Sequence, residues 1–79
     1  MTVEQLRSVH QAAPFQPFTI HLPDRRPFPV PHPDFLSISP TSRIAVVYTD
    51  DGSASIIDVA LITEIELRIT PPNAQRNGS

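Results

Sequence analysis

A chain of 79 residues has room for one domain with one modest core. Six basic against eight acidic residues leave a formal charge of -2, which excludes the broad cationic excess of a protein held to nucleic acid mainly by phosphate neutralisation. With no cysteine, disulfides, thiolate metal ligands and cysteine nucleophiles are excluded as well.

The opening Met1-Thr2-Val3-Glu4-Gln5-Leu6-Arg7 lacks the basic and apolar regions of a signal peptide. No run approaches the ~18 apolar residues of a membrane helix. A cytoplasmic protein without membrane contact is the expectation. Ten prolines accompany two glycines, against an average of about 5% proline, yet 39% hydrophobic residues argue for a folded chain that the prolines shape. All six basic residues are arginine, which a coding bias explains more simply than a need for bidentate anion recognition.

Thr2 and Gln5 have the spacing of a capping box, with Glu4 early and Arg7 and His10 late to suit the helix dipole. Val3, Leu6, Val9, His10 and Ala13 make one side apolar, and Pro14 stops the helix after about three turns. So short a helix must dock to persist.

From Pro17 the period becomes two. Phe18, Ile20 and Leu22 alternate with Thr19 and His21 in a half-buried strand, followed by a turn at Pro23-Asp24-Arg25-Arg26. Pro27, Pro29, Pro31 and Pro33 then occupy alternate positions, with Phe28 and Val30 read as facing the core. In an extended strand all four missing N–H groups fall on one edge, so this segment pairs on one side and blocks pairing on the other. A polyproline II stretch is the competing reading.

Phe35-Leu36-Ser37-Ile38 reads as a short strand, and Ile44 to Thr49 as an interior strand apolar on both faces. Asp51-Gly52 signals a hairpin, with Ser53 to Ile57 returning. Asp58 caps a helical or 3₁₀ turn over Val59-Ala60-Leu61, and Ile62 to Ile69 is the last strand. Thr70 to Ser79 is expected to be mobile, leaving one domain over residues 1–70 and a flexible tail over 71–79. The predicted fold is mainly β: an N-terminal helix, then about five short strands curled into a small barrel with a 3₁₀ turn before the last.

Three stretches carry a resemblance: Pro14-Phe15-Gln16-Pro17-Phe18-Thr19-Ile20-His21-Leu22, Val30-Pro31-His32-Pro33-Asp34-Phe35, and residues 57–66. They resemble a group of short bacterial proteins with an N-terminal helix and a Pro-Phe-x-Pro-Phe-Thr-Ile-His-Leu segment, a likeness that brings no activity with it. By topology the chain also resembles Sm-like and Src-homology-type small barrels, which implies a five-stranded barrel with a 3₁₀ turn before the last strand. The Sm-like resemblance implies single-stranded RNA as a ligand. However, the Asp-x-Met-Asn loop is absent, and Ile57-Asp58-Val59 stands where that family presents Arg-Gly. Arg25, Arg26 and Arg43 are the residues a local RNA patch would use.

Other motifs weigh less. His32-Pro33-Asp34 matches the J-domain tripeptide without its helical setting, and reads as a turn. His21, His32, Asp24 and Asp34 lack metal-ligand spacing, and Asp50-Asp51-Gly52 lacks the further acids of a calcium loop. There is no Gly-rich phosphate loop or nucleophile elbow, so neither a catalytic site nor a cofactor is expected. The expectation is a non-catalytic protein-interaction or self-assembly module. Its free edge is the last strand, through Ile62, Glu64, Glu66 and Arg68, and RNA binding is the disfavoured alternative.

Overall fold

The computed structural model describes residues 2–41 and 43–67. Thr2 accepts a hydrogen bond at Oγ1 from the Gln5 backbone N–H (3.3 Å), and Gln5 Oε1 accepts from the Thr2 N–H (3.2 Å), closing the capping box. The helix α1, Val3–His10, ends three residues before the sequence pattern implied, with Gln11 as its C-cap, so Ala13 is exposed and outside it. Leu6 is fully buried, and His10 Nε2–H donates to the Pro33 carbonyl (2.8 Å). The end of a two-turn helix is thereby fastened to the chain it packs on.

Two antiparallel sheets follow. The first holds β1, Phe18–His21, between β2, Phe28–Val30, and β6, Glu64–Leu67. Alternation places Phe18, Ile20, Phe28 and Val30 inward, each at most 2% exposed. The turn between β1 and β2 puts Asp24 at φ 56, a left-handed position that aspartate tolerates better than most residues. The second sheet holds β4, Ile44–Tyr48, between β3, Leu36–Ile38, and β5, Ala54–Asp58. Gly52 at φ 88 turns the β4–β5 hairpin, and its N–H donates to the Thr49 carbonyl (3.1 Å).

The expected five-stranded barrel does not form. Closing one requires a strand long enough to bend and belong to both sheets. The chain that would have to do this, residues 28–38, is broken by a 3₁₀ turn at Pro33–Phe35, led by the proline itself. Pro33 therefore leaves the strand instead of extending it, so the Pro-rich segment and the strand read at Phe35–Ile38 stay apart as β2 and β3, in different sheets, and six strands form where about five were expected. At the other seam a second 3₁₀ turn, Val59–Leu61, capped by Asp58 through Ala60 N–H (2.9 Å), separates β5 from β6. That turn was legible in the sequence. No strand pairs across the two sheets among the described residues.

The sheets are held by one side-chain core. Leu6 from α1, Phe18, Ile20, Phe28 and Val30 from the first sheet, and Leu36, Ala45, Val47 and Ile57 from the second form a single buried cluster, joined by Leu22, Val59 and Ile62. The expected burial of β4 on both faces is only half met: Ala45 and Val47 are buried, whereas Ile44 and Tyr48 are 42% and 41% exposed. The last strand ends at Leu67 in the described residues. The predicted strand end at Ile69 and the tail over 71–79 lie outside them.

Two outcomes follow from this packing. Leu6→Ala leaves a cavity beneath the helix and is expected to cost about 2–5 kcal/mol in denaturant unfolding, with the helix signal lost first. In the hairpin turn, the Thr49 hydroxyl, then Ser53 through side chain and backbone N–H, hold the exposed Asp51 carboxyl at about 2 instead of 3.8. A folded value below the unfolded one stabilises the hairpin above the unfolded value, and that gain disappears as pH falls through the folded one. The thermal advantage of wild type over Asp51→Asn is expected to be full well above pH 3.8 and to shrink toward about pH 2.

Candidate functional site

The direction of each peptide group decides which strand edges another chain can reach. Pro29 lies opposite Thr19 and has no N–H, so the β1–β2 ladder runs through Phe18, Ile20, Phe28 and Val30. Successive peptides point to opposite sides of a strand, which turns Thr19 and His21 toward β6, where they face Glu66 and Glu64. Glu64 and Glu66 thus spend their backbone groups on β1. The peptides of Ile65 and Leu67 point away from it.

In the second sheet the parity is fixed by backbone hydrogen bonds at both ends of β4. Ser39 N–H donates to Ile44, Thr49 N–H to Ser53 and Val59 N–H to Arg43, each at 3.0 Å. With the register Val47↔Ser55 and Ala45↔Ile57, the peptides of Ser55 and Ile57 face β4. Those of Ala54, Ile56 and Asp58 face outward.

The edges differ in kind. The outer edge of β2 lacks a donor at Pro29, and Pro27 and Pro31 flank it at the same parity, so strand addition is blocked there. β3 is three residues long. β5 and β6 contain no proline and keep their outward donors.

The residues read from the sequence as a partner edge are placed differently from one another. Ile62 is 3% exposed, belongs to the core and donates its N–H to the Val59 carbonyl (3.2 Å), ahead of β6. Glu64 and Glu66 do lie on β6 with exposed side chains, and Glu66 Oε1 accepts from His21 Nε2–H across the ladder (2.9 Å). Arg68 lies outside the described residues. The sequence reading named Glu64 and Glu66 on that edge; the outward backbone donors of β6 are those of Ile65 and Leu67. It read residues 53–57 as a returning strand without marking β5 as a second open edge. The signal was the adjacent pair Ile56-Ile57, since a strand covered on one face must show one of two neighbouring side chains to solvent.

Of the three arginines named for an RNA patch, Arg25 and Arg26 lie together on one ring and Arg43 lies apart from them. The guanidinium carbons of Arg25 and Arg26 sit 5.4 and 5.1 Å from the centroid of the Phe28 ring, which is itself 1% exposed. Arg26 also donates to Ser55 Oγ (3.4 Å), whereas Arg43 lies at the far end of the same hairpin, its carbonyl bonded to Val59. Base stacking needs an exposed ring beside the cation, and the ring these arginines flank is covered.

Two shallow hollows, of about 290 and 170 Å³, meet at Pro29 and Pro31. Pro17, Phe18, Thr19 and Val30 complete the lining of the larger one, with no ionisable group; Asp50 and Tyr48 lie in the smaller. Among the described residues no three His, Asp or Glu side chains gather as a metal site, and no helix is long and apolar enough to cross a membrane.

Hydrogen exchange on dilute protein tests the edge assignment. Slow amides are expected at Phe28, Val30, Glu64, Glu66, Ser55 and Ile57, and fast ones at Ile65, Leu67, Ala54, Ile56 and Asp58. In Pro29→Thr the introduced amide is expected to exchange fast. Comparison with models of protein families, with characterised proteins and with solved structures gives no match to this chain.

Proposed function

We propose that the protein is a non-catalytic interaction module that takes up an extended strand of another protein along β6. The observation that supports this reading is the contrast between the two edges of one sheet: β2 is closed by prolines, while β6 keeps the outward peptides of Ile65 and Leu67. Strand addition draws its affinity from such main-chain donors and acceptors, and its selectivity from alternate side chains.

Those side chains are acidic. Glu64 and Glu66 stand on the exposed face of β6, two residues apart, beside His21. An added strand whose facing residues alternate Lys or Arg would set opposite charges across the new ladder, and an acidic strand would meet repulsion. The partner is accordingly a protein segment with basic residues at every second position. Single-stranded RNA is the weaker reading, because Arg25 and Arg26 lie against the covered ring of Phe28 and Arg43 stands apart from them.

Fluorescence anisotropy with a labelled peptide of alternating Lys and Val tests the assignment. Binding is expected to weaken about tenfold in the Glu64→Lys/Glu66→Lys variant, from two cross-strand pairs of ~0.2–1 kcal/mol each turned to repulsion. It is expected to fall further in Leu67→Pro, which removes an outward donor and spares the β1 ladder. Equal binding by all three chains, or preference for an RNA oligomer with a steep loss on adding salt, would overturn the reading.

A further inference from the structure

We propose that the β5 edge joins to β5 of a second copy of this chain, antiparallel about a two-fold axis through Ile56. The inference rests on the reading of the chain as an edge-pairing module, but it uses the other sheet and a different partner.

The geometry of β5 is self-complementary. Its five residues, Ala54–Asp58, are centred on Ile56, and the outward peptides belong to Ala54, Ile56 and Asp58. Two such strands laid antiparallel bring Ile56 opposite its counterpart as a hydrogen-bonded pair, and Ala54 opposite the second copy's Asp58. A two-fold contact requires this kind of match of a surface with itself.

Charge separates β5 from β6 as a homotypic edge. Turned about Ile65, β6 would set Glu64 directly opposite the second copy's Glu66, twice over, and turned about Glu66 it would set two identical carboxylates face to face. Like charges in directly opposed positions destabilise a ladder. On β5 the sole carboxylate, Asp58, meets Ala54. The two Asp58 groups stand four residue steps apart along the joint, about 13 Å, beyond the screening length at physiological salt.

Side-chain burial favours the same register. Ile56 is 67% exposed, the most exposed large apolar residue of the described core strands, and lies opposite Val46 in the ladder. Beyond Val46 on the same face stand Ile44 and Tyr48, 42% and 41% exposed. Pairing places Ile56 between Val46 and its own counterpart, so the outermost apolar side chain becomes an interior one. A small monomer gains nothing from displaying such a row unless another chain covers part of it.

The test is sedimentation equilibrium of the full chain from about 1 µM to about 1 mM, a range that covers weak and moderate association. A concentration-dependent dimer is expected. Ile56→Pro deletes the central outward donor while the inward bonds of Ser55 and Ile57 persist, and it is expected to sediment as a monomer with an unchanged circular dichroism spectrum. Because a proline could also disturb the strand, two charge variants give an independent readout. Ile56→Lys and Ile56→Glu are each expected to be monomeric alone, and their mixture is expected to recover a dimer, since residue 56 meets residue 56. A wild-type monomer throughout the range, a dimer that survives Ile56→Pro, an assembly larger than two, or a mixture that fails to associate would overturn the proposal. The Glu64→Lys/Glu66→Lys variant should dimerise like wild type, so failure of peptide binding at β6 and failure of self-association at β5 are read separately.

Discussion

One missing hydrogen atom sets the lateral order of the first sheet. Because Pro29 cannot donate, its neighbours Phe28 and Val30 must carry the ladder to β1, and that choice passes through β1 to β6. The same choice sends Phe28 and Val30 inward as side chains, where they are 1% and 0% exposed. Backbone pairing and core packing therefore agree on one register, and a slip by one residue would forfeit both. Which peptides of β6 remain open to another chain is a distant result of an imino acid on β2.

The second constraint is continuity. The strands are three to five residues long, too short to arch from one layer to the other, and the two 3₁₀ turns at Pro33–Phe35 and Val59–Leu61 fall where a barrel would need its seams. What unites the layers is apolar burial, with Leu6 of the helix contributing to the same cluster. His10 on the Pro33 carbonyl and Arg26 on Ser55 add polar ties at the periphery. An open pair of sheets leaves edges, and β5 and β6 keep outward backbone donors on theirs.

Much of this was legible in the residues. The capping box at Thr2 and Gln5, the β1 alternation, the Asp51-Gly52 hairpin and the Asp58-capped turn each rest on contacts within a few positions, which local rules describe. The inward placement of Phe28 and Val30 was equally readable, since proline fixes which lateral side is closed. The barrel was not, because closure depends on whether residues 31–35 stay extended, and Pro33 suits a helical first position as well as a strand edge. The candidate edge was half readable: Glu64 and Glu66 are on it, but the direction of their peptides is inherited from Pro29 across two ladders, and Ile62 is drawn into the core by the turn before β6. Ile56 was readable only in part: the adjacent pair Ile56-Ile57 means that one of the two faces solvent, but which one follows from the side on which the shared core packs.

The break at residues 31–35 has a mechanical meaning. Among the described residues, side-chain packing and peripheral polar ties, and no ladder bond, span the plane between the sheets. That plane lacks the hydrogen-bonded seam of a sealed cylinder, so the relative placement of the two layers rests on how their side chains fit. A load applied at an outer strand therefore reaches the opposite sheet through packed side chains and not along a shared strand.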